Sequence, residues 1–430
     1  MNIFSINKLI DGVCLKTIYR FVNVPVLRID AILNRRRVYL FGFRIISLEI
    51  KNLKRSARDV AKKINLITGS SSITCWFDHM LGGGTDAYSM TYFKIYKSKK
   101  EYILRIQSIA CRKEVVVTLY GGRDDNDFSF FILESYDDVK IILSLIEFEK
   151  IVINNIVGYK DSLSVLEDVI NRKKNGYVSV RFNLHDFHCL CPSFNLVNYC
   201  GRFCELNLKK CSECFPLVQL GNSKAEHEIL ISGANDILKW RMAWERFLNK
   251  YCDEIFAFSN SSKNILLKVY PELGSKIHVI PHKEPDIRPA KVKMHQGIRV
   301  AFLGNISSVP KGMDIVKNLA NVDENHNIEF FVIGECPIAS DSVKVTGKYH
   351  INDLTSIVEE LEIDMIIIPS IWAETFSYTT SEAIKLQLPV ACFDYGAQAE
   401  KVKSYSKGLI LPSEEPKEII KKIEKYFLVE

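Results

Sequence analysis

Short apolar runs alternate along the chain with longer segments in which apolar residues recur every three or four positions, the pattern of buried strands separated by amphipathic helices. The clearest run, residues 365–369, is rich in Ile and reads as a strand buried on both faces. A loop follows it, then a helix that begins near Thr379 and Thr380 and carries Ala383, Ile384 and Leu388 inward. Leu388, Pro389 and Val390 open the next buried strand. Such a strand–loop–helix–strand unit belongs to a parallel sheet, and parallel sheets bind ligands beyond the carboxyl ends of their strands.

The alternation extends in both directions. Strands are predicted at 73–77, 102–108, 114–120, 128–133, 150–156 and 177–182, with helices at 139–148 and 162–172. Residues 222–248 read as helical with Trp240, Met242, Trp244 and Phe247 inward; a strand at 254–259 and a helix from Ser261 to Tyr270 come next. After a Pro- and charge-rich linker at 281–289, strands are predicted at 298–303, 329–333, 343–347 and 408–411. Helices are predicted at 313–321, 352–362 and 416–427. The first thirty residues are compatible with a helix bearing Lys8, Lys16, Arg20 and Arg28 on one face, residues 38–50 with a hairpin around Gly42, and 51–65 with a basic amphipathic helix.

Length and charge refine this picture. A chain of 430 residues accommodates two domains and an appendage. Residues 1–65 hold fourteen Lys and Arg against four Asp and Glu, whereas the remainder is slightly acidic, so a basic extension precedes the body. That extension fits peripheral contact with an anionic membrane surface, or a docked element whose charges are merely solvated. Nucleic acid is disfavoured, because no aromatic platform accompanies the arginines. Twelve cysteines without a signal peptide argue for a reducing, cytoplasmic setting.

The candidate chemistry concentrates at carboxyl ends of predicted strands. Glu374 and Glu382, with seven residues between them, bracket a loop and helix opening rich in hydroxyls: Thr375, Ser377, Thr379, Thr380 and Ser381. Free N–H groups at a helix start suit a diphosphate, and two carboxylates suit the two ends of a sugar nucleotide. Gly304 to Gly312 follows another strand and carries Lys311, an ammonium at the same sheet edge. Gly82, Gly83 and Gly84 form a glycine loop after the strand at 73–77, though without the remainder of a dinucleotide fingerprint. Asn183, Leu184, His185 and Asp186 end a further strand; His185 serves there as a ligand contact or as an ordinary loop residue bonded to Asp186.

Residues 189–214 hold six of the twelve cysteines. Cys211 and Cys214 have metal-hook spacing, and with Cys191 and Cys204 upstream they could make a structural zinc site. Buried free thiols or a redox pair are the other readings.

The Glu-x7-Glu stretch, with its flanking strand and Leu-Pro-Val, resembles the donor site of retaining glycosyltransferases of the GT-B fold, the family of bacterial mannosyl- and rhamnosyltransferases. The resemblance covers residues 73–428 and implies an α/β protein of two Rossmann-like domains facing across a cleft. Behind the basic extension, taken as 1–68, it implies an acceptor domain at 69–285 with a Cys-rich loop, and a nucleotide-sugar donor domain at 286–430. In that family Glu374 would hold the donor sugar, Glu382 the ribose, and His185 would contact the sugar. Gly82 to Gly84, Lys311, Ser377, Tyr378 and Thr379 would face the diphosphate, and no metal cofactor is required for catalysis. One departure stands out: Asn305 occupies a place where the family usually carries a cation. The implied activity is sugar transfer from a nucleotide sugar to a glycan or lipid-linked acceptor in bacterial surface polysaccharide synthesis (capsule or O-antigen), at the inner face of the cytoplasmic membrane. Rivals are a sugar-nucleotide epimerase or phosphorylase on the same fold, and a non-catalytic glycan-binding subunit.

Overall fold

The computed structural model describes residues 56–428 except 98–100, 110–112, 122–127, 205, 220–235, 323–326 and 339–341, together with the backbone of five strands between residues 4 and 49. Those strands are β1 (Phe4–Asp11), β2 (Cys14–Phe21), β3 (Val24–Ile32), β4 (Arg35–Leu40) and β5 (Phe43–Glu49), each antiparallel to the next. The helix expected over the first thirty residues is therefore replaced by strands. Apolar and polar residues there alternate as closely with period two (Leu27, Ile29 and Ala31 against Arg28 and Asp30) as with helical spacing, and two-residue connections select antiparallel pairing. The strands around Gly42 pair as expected. The side chains expected to meet a membrane between residues 1 and 55 lie outside the described residues.

The chain divides into two compact units. The first comprises Met1–Asn183, Ile229–Asn235 and Met242–Ile255, and the second Leu184–Glu228, Asp236–Arg241 and Phe256–Glu430. The linker-like 281–289 thus lies inside the second unit.

After the strands, the first unit continues with α1 (Ala57–Thr68), capped by Ser56, whose Oγ accepts the Asp59 N–H. Next come β6 (Ile73–His79), α2 (Gly84–Lys97), β7 (Tyr102–Ser108), β8 (Val115–Tyr120), β9 (Phe128–Leu133), α3 (Tyr136–Leu145), β10 (Lys150–Ile153), α4 (Ser162–Asn175) and β11 (Ser179–Asn183). The sheet runs β11-β10-β6-β7-β8-β9 within this unit. Its centre is parallel, because helices link β6 to β7 and β10 to β11. The β7-β8-β9 edge is antiparallel, because short connections leave no room for crossovers. Every residue of β6 is buried, and its charge, Asp78, is met by Arg105 of β7 at 2.7 Å.

Then follow α5 (Cys211–Gln219), α6 (Ile237–Lys250), β12 (Glu254–Ala257), α7 (Asn260–Leu267) and β13 (Ile277–Val279). Helix α6 buries Trp240, Trp244 and Phe247 as the sequence predicts, but Met242 is 66% exposed, since it lies on the face opposite that stripe. Ser259, rather than Ser261, caps α7.

The remaining elements are β14 (Ile298–Leu303), α8 (Met313–Ala320), β15 (Ile328–Ile333), β16 (Val343–Val345), α9 (Leu354–Glu360), β17 (Met365–Ile368), α10 (Tyr378–Lys385), β18 (Val390–Phe393), α11 (Gly396–Lys403), β19 (Gly408–Leu411) and α12 (Pro416–Leu428). Their sheet is wholly parallel, in the order β16-β15-β14-β17-β18-β19. Phe302, Val332 and Ile367 pack with Val316 and Leu319 of α8 and Ile419 and Ile423 of α12 on one face. Leu303, Ile333 and Ile366 pack with Val358 of α9, Ala383 of α10 and Val402 of α11 on the other. The strand order reverses between β14 and β17. In a doubly wound sheet the crevice for a ligand opens at that reversal, outside the carboxyl ends of the strands.

Candidate active site

The loops leaving β14 and β17 are interlocked at the reversal. Gly312, at φ +89°, lies so close to the second loop that a Cβ would stand 2.3 Å from the Pro369 carbonyl oxygen. Ile371 N–H donates to the Pro310 carbonyl at 3.0 Å. This contact delivers Lys311 to Glu374, with Nζ 2.7 Å from Oε1.

Glu374 is held from every side. Ser370 Oγ donates to Oε1 at 2.8 Å, and the Glu374 N–H donates to Gln398 Oε1 at 3.1 Å. Gln398 Nε2 in turn donates to the Trp372 carbonyl at 2.6 Å, and Ala397 N–H to the Glu374 carbonyl at 2.8 Å. Burial pushes the Glu374 carboxyl up, but the Lys311 ammonium and hydrogen bonds from Lys311, Ser377 and Ser370 outweigh it and hold the group below the usual carboxylate range. The carboxylate is ionised. Lys311 keeps 43% of its side chain exposed, with Nζ 5.2 Å from the centre of the Trp372 ring, so part of its donor capacity faces outward.

Helix α10 opens beside this pair. Ser377 sits at φ +63°, a left-handed conformation that costs a non-glycine residue energy. Its Oγ accepts the Thr380 N–H at 3.4 Å and lies 2.7 Å from Thr380 Oγ1. Tyr378 and Thr379 follow in the first turn, half-buried, where helix N–H groups have no intrahelical acceptor. The β14 loop runs directly against this turn: a Cβ at Gly304 would stand 3.0 Å from Thr379 Cγ2. Further along α10, Glu382 is buried and its Oε2 accepts the Tyr349 hydroxyl at 2.7 Å. Burial raises its pKa, and the Tyr349 hydrogen bond offsets this only in part.

His185 joins the same unit. Thr375 Oγ1 donates to its carbonyl at 2.8 Å, and its ring lies 4.5 Å from Phe258 and 5.5 Å from His282. Asp186 directs Oδ1 to the His188 N–H at 2.8 Å.

Within the second unit the structure therefore holds Lys311, Glu374, Ser377, Tyr378, Thr379, Glu382 and His185. Gly82, Gly83 and Gly84 belong to the first. Gly82 (φ +74°) and Gly83 (φ +75°) would meet nothing within 4 Å if given a Cβ, so backbone conformation is what requires glycine there. Beneath that loop Asp78 accepts from Ser89 Oγ (2.9 Å) and from Arg105, which also reaches Asp86 at 2.7 Å.

Three residues unremarkable in the sequence take part. Lys401 of α11 donates to Ser381 Oγ (2.5 Å) and the Ser377 carbonyl (3.3 Å), with Nζ 3.4 Å from the Phe376 ring centre. His282 stacks on Phe376 at 4.5 Å, and burial, assisted by Lys401, pushes it down to about 3. Gln398 anchors Glu374 as described. Lys401 stands in a charged run that reads as solvated surface, and nothing in its spacing marks it.

Cys191, Cys204, Cys211 and Cys214 line one cavity of about 380 Å³ with Tyr199, Phe215 and Arg241. Arg241 Nη2 donates to Cys211 Sγ at 3.2 Å. Burial pushes Cys191 up to about 12 and Cys204 up to about 11, so both are thiols at neutral pH. Among the described residues no group of three or more His, Cys, Asp or Glu side chains is placed to hold a metal ion.

Residues 283–429 match the family model described as glycosyl transferases group 1. That stretch contains Lys311, Glu374, Glu382 and Lys401, and spans about a third of the chain. No curated protein matches the chain in sequence. Among solved structures, Anabaena Alr3699/HepE in complex with UDP is similar over 83% of this chain and 90% of its own, with a TM-score of 0.50 and 11% identity. A glycosyltransferase from Rickettsia africae ESF-5 is similar over 84% and 89%, at 0.49 and 12%. WaaG, a glycosyltransferase involved in lipopolysaccharide biosynthesis, is similar over 83% and 90%, at 0.47 and 12%. Likeness at such identity speaks to fold alone, and the fold shared with Alr3699/HepE is the α/β GT-B architecture. No helix among the described residues is long and apolar enough to cross a membrane.

Proposed function

We propose that the protein is a retaining glycosyltransferase that moves a sugar from a nucleotide-sugar donor to a glycan or lipid-linked acceptor in the assembly of a bacterial surface polysaccharide. The observation that carries this reading is the Lys311–Glu374 pair, seated at the strand-order reversal beside the opening of α10 with Glu382 on the same helix.

The chemistry follows from charge. Breaking the bond between the anomeric carbon and the diphosphate builds negative charge on the leaving oxygen, and groups already aimed at that position lower the barrier. Lys311 has outward donor capacity for the diphosphate while Glu374 holds one side of its ammonium, and the first-turn N–H groups of α10 add a positive dipole end. Glu374, ionised, accepts from donor-sugar hydroxyls. Glu382 accepts from the ribose hydroxyls, in place of or alongside Tyr349. His185 orients the sugar. Retention fits a mechanism in which the departing phosphate takes the acceptor's proton on the face it leaves. HepE, on a similar fold, is seen with UDP, which makes uridine nucleotides the first donors to try.

The test is a thermal-shift scan of nucleotide sugars, rhamnose donors included, with Glu382→Ala as control. A donor that raises the melting temperature of the wild type but not of the variant supports the site; equal stabilisation of both removes Glu382 from it. Proton NMR of the transfer product then reads the anomeric configuration, and an inverted product would overturn the retaining mechanism.

A further inference from the structure

The Lys401 ammonium makes three contacts with α10 and the residues leading into it: it donates to the Ser381 hydroxyl, donates to the Ser377 carbonyl and lies over the Phe376 ring. Ser377 is the strained residue whose peptide unit continues into Tyr378, the first residue of the helix. A peptide is planar, so a cation pulling on the Ser377 carbonyl points the Tyr378 N–H the opposite way and fixes its direction. The β14 loop offers no second cation near this turn, since Asn305 follows Gly304. Lys401 comes instead from α11, behind the turn.

We propose that Lys401 is a positioning residue of the diphosphate site, holding the left-handed Ser377 peptide so that the first-turn amides face the ligand. This inference rests on the nucleotide-sugar reading of the site. Burial pushes the Lys401 ammonium down to about 8, against the pull of Glu284, Glu374 and Glu400. His282, the remaining titratable group beside it, is held neutral by burial. A group whose charge is lost near pH 8 makes the site's grip on a diphosphate weaken as pH rises through that value.

The experiment uses the full chain and isothermal titration with UDP, GDP and ADP, and with the corresponding monophosphates. Lys401→Met is expected to bind the preferred diphosphate about tenfold more weakly, the loss of one charge-assisted contact network, while the monophosphate changes less. Lys401→Arg restores most of the affinity. Wild-type affinity for the diphosphate falls between about pH 7 and pH 9, a readout that needs no variant. If the wild type binds a diphosphate but Lys401→Met binds it equally well, or if wild-type affinity is flat across that range, the inference fails and the nucleotide-sugar reading stands. Equal losses for mono- and diphosphate accompanied by a large drop in melting temperature assign Lys401 to folding alone and also overturn the inference. If no nucleoside diphosphate binds the wild type, the reading beneath it fails.

Discussion

Replacing Lys311 with Met keeps the stem but removes the ammonium from a carboxylate whose residue is only 6% exposed. Breaking a fully buried ion pair costs about 3–5 kcal/mol, because the orphaned charge remains in a poor solvent. Here the discount is substantial: Lys311 is 43% exposed, and Ser370 still donates to Oε1. An estimate of about 1–2 kcal/mol at neutral pH is therefore reasonable. For a domain of roughly 150–250 residues that corresponds to about 2–8 °C in melting temperature. The sign of the pH dependence follows from Glu374. Its folded pKa is depressed in the wild type, so the pair stabilises above the ordinary carboxylate pKa and the benefit is lost as pH falls through the folded value. In Lys311→Met burial is largely unopposed and the carboxyl protonates more readily, which relieves the variant in acid. Melting curves of both proteins at pH 7 and about pH 4 should show a gap at the first that narrows at the second. An equal gap at both values would show that the loss is one of packing, and the electrostatic account of Glu374 would be wrong.

Other substitutions separate backbone from side-chain requirements. Gly312→Ala places a methyl group 2.3 Å from the Pro369 carbonyl oxygen at φ +89° and should cost about 3 kcal/mol or more in urea denaturation. Gly83→Ala, at φ +75° but with open space around it, should cost only about 1 kcal/mol by the same measurement. Arg105→Met strands the fully buried Asp78, and a loss of about 3–5 kcal/mol is expected; restoration of most of it by adding Asp78→Asn would confirm that the charge, rather than the lost side-chain volume, is responsible.

Much of the second unit was legible in the sequence because its strands are buried on both faces. Runs such as Met365–Ile368 and Val390–Phe393 have one interpretation, and the glutamates and Lys311 stand directly after such runs. The first fifty residues were not, because their short apolar clusters satisfy two periodicities and the choice depends on pairing between segments. Met242 was misplaced because one aromatic-rich stripe was read as wider than it is. Lys401, Gln398 and His282 were invisible for a different reason. Each acquires its role from an element distant in sequence: α11 against α10, α11 against the β17 loop, and the stretch after β13 against Phe376. Residue type and spacing carry no trace of such packing.

The backbone lock between Gly312 and Pro369 limits how this protein could diversify. With no side chain as spacer, neither connection tolerates an inserted residue without separating ammonium from carboxylate. On the proposed function, new preferences for one sugar over another would arise by repainting the walls around a fixed frame, through exchanges at places such as Tyr349, Tyr378 or His185, while the turn lengths stay constant.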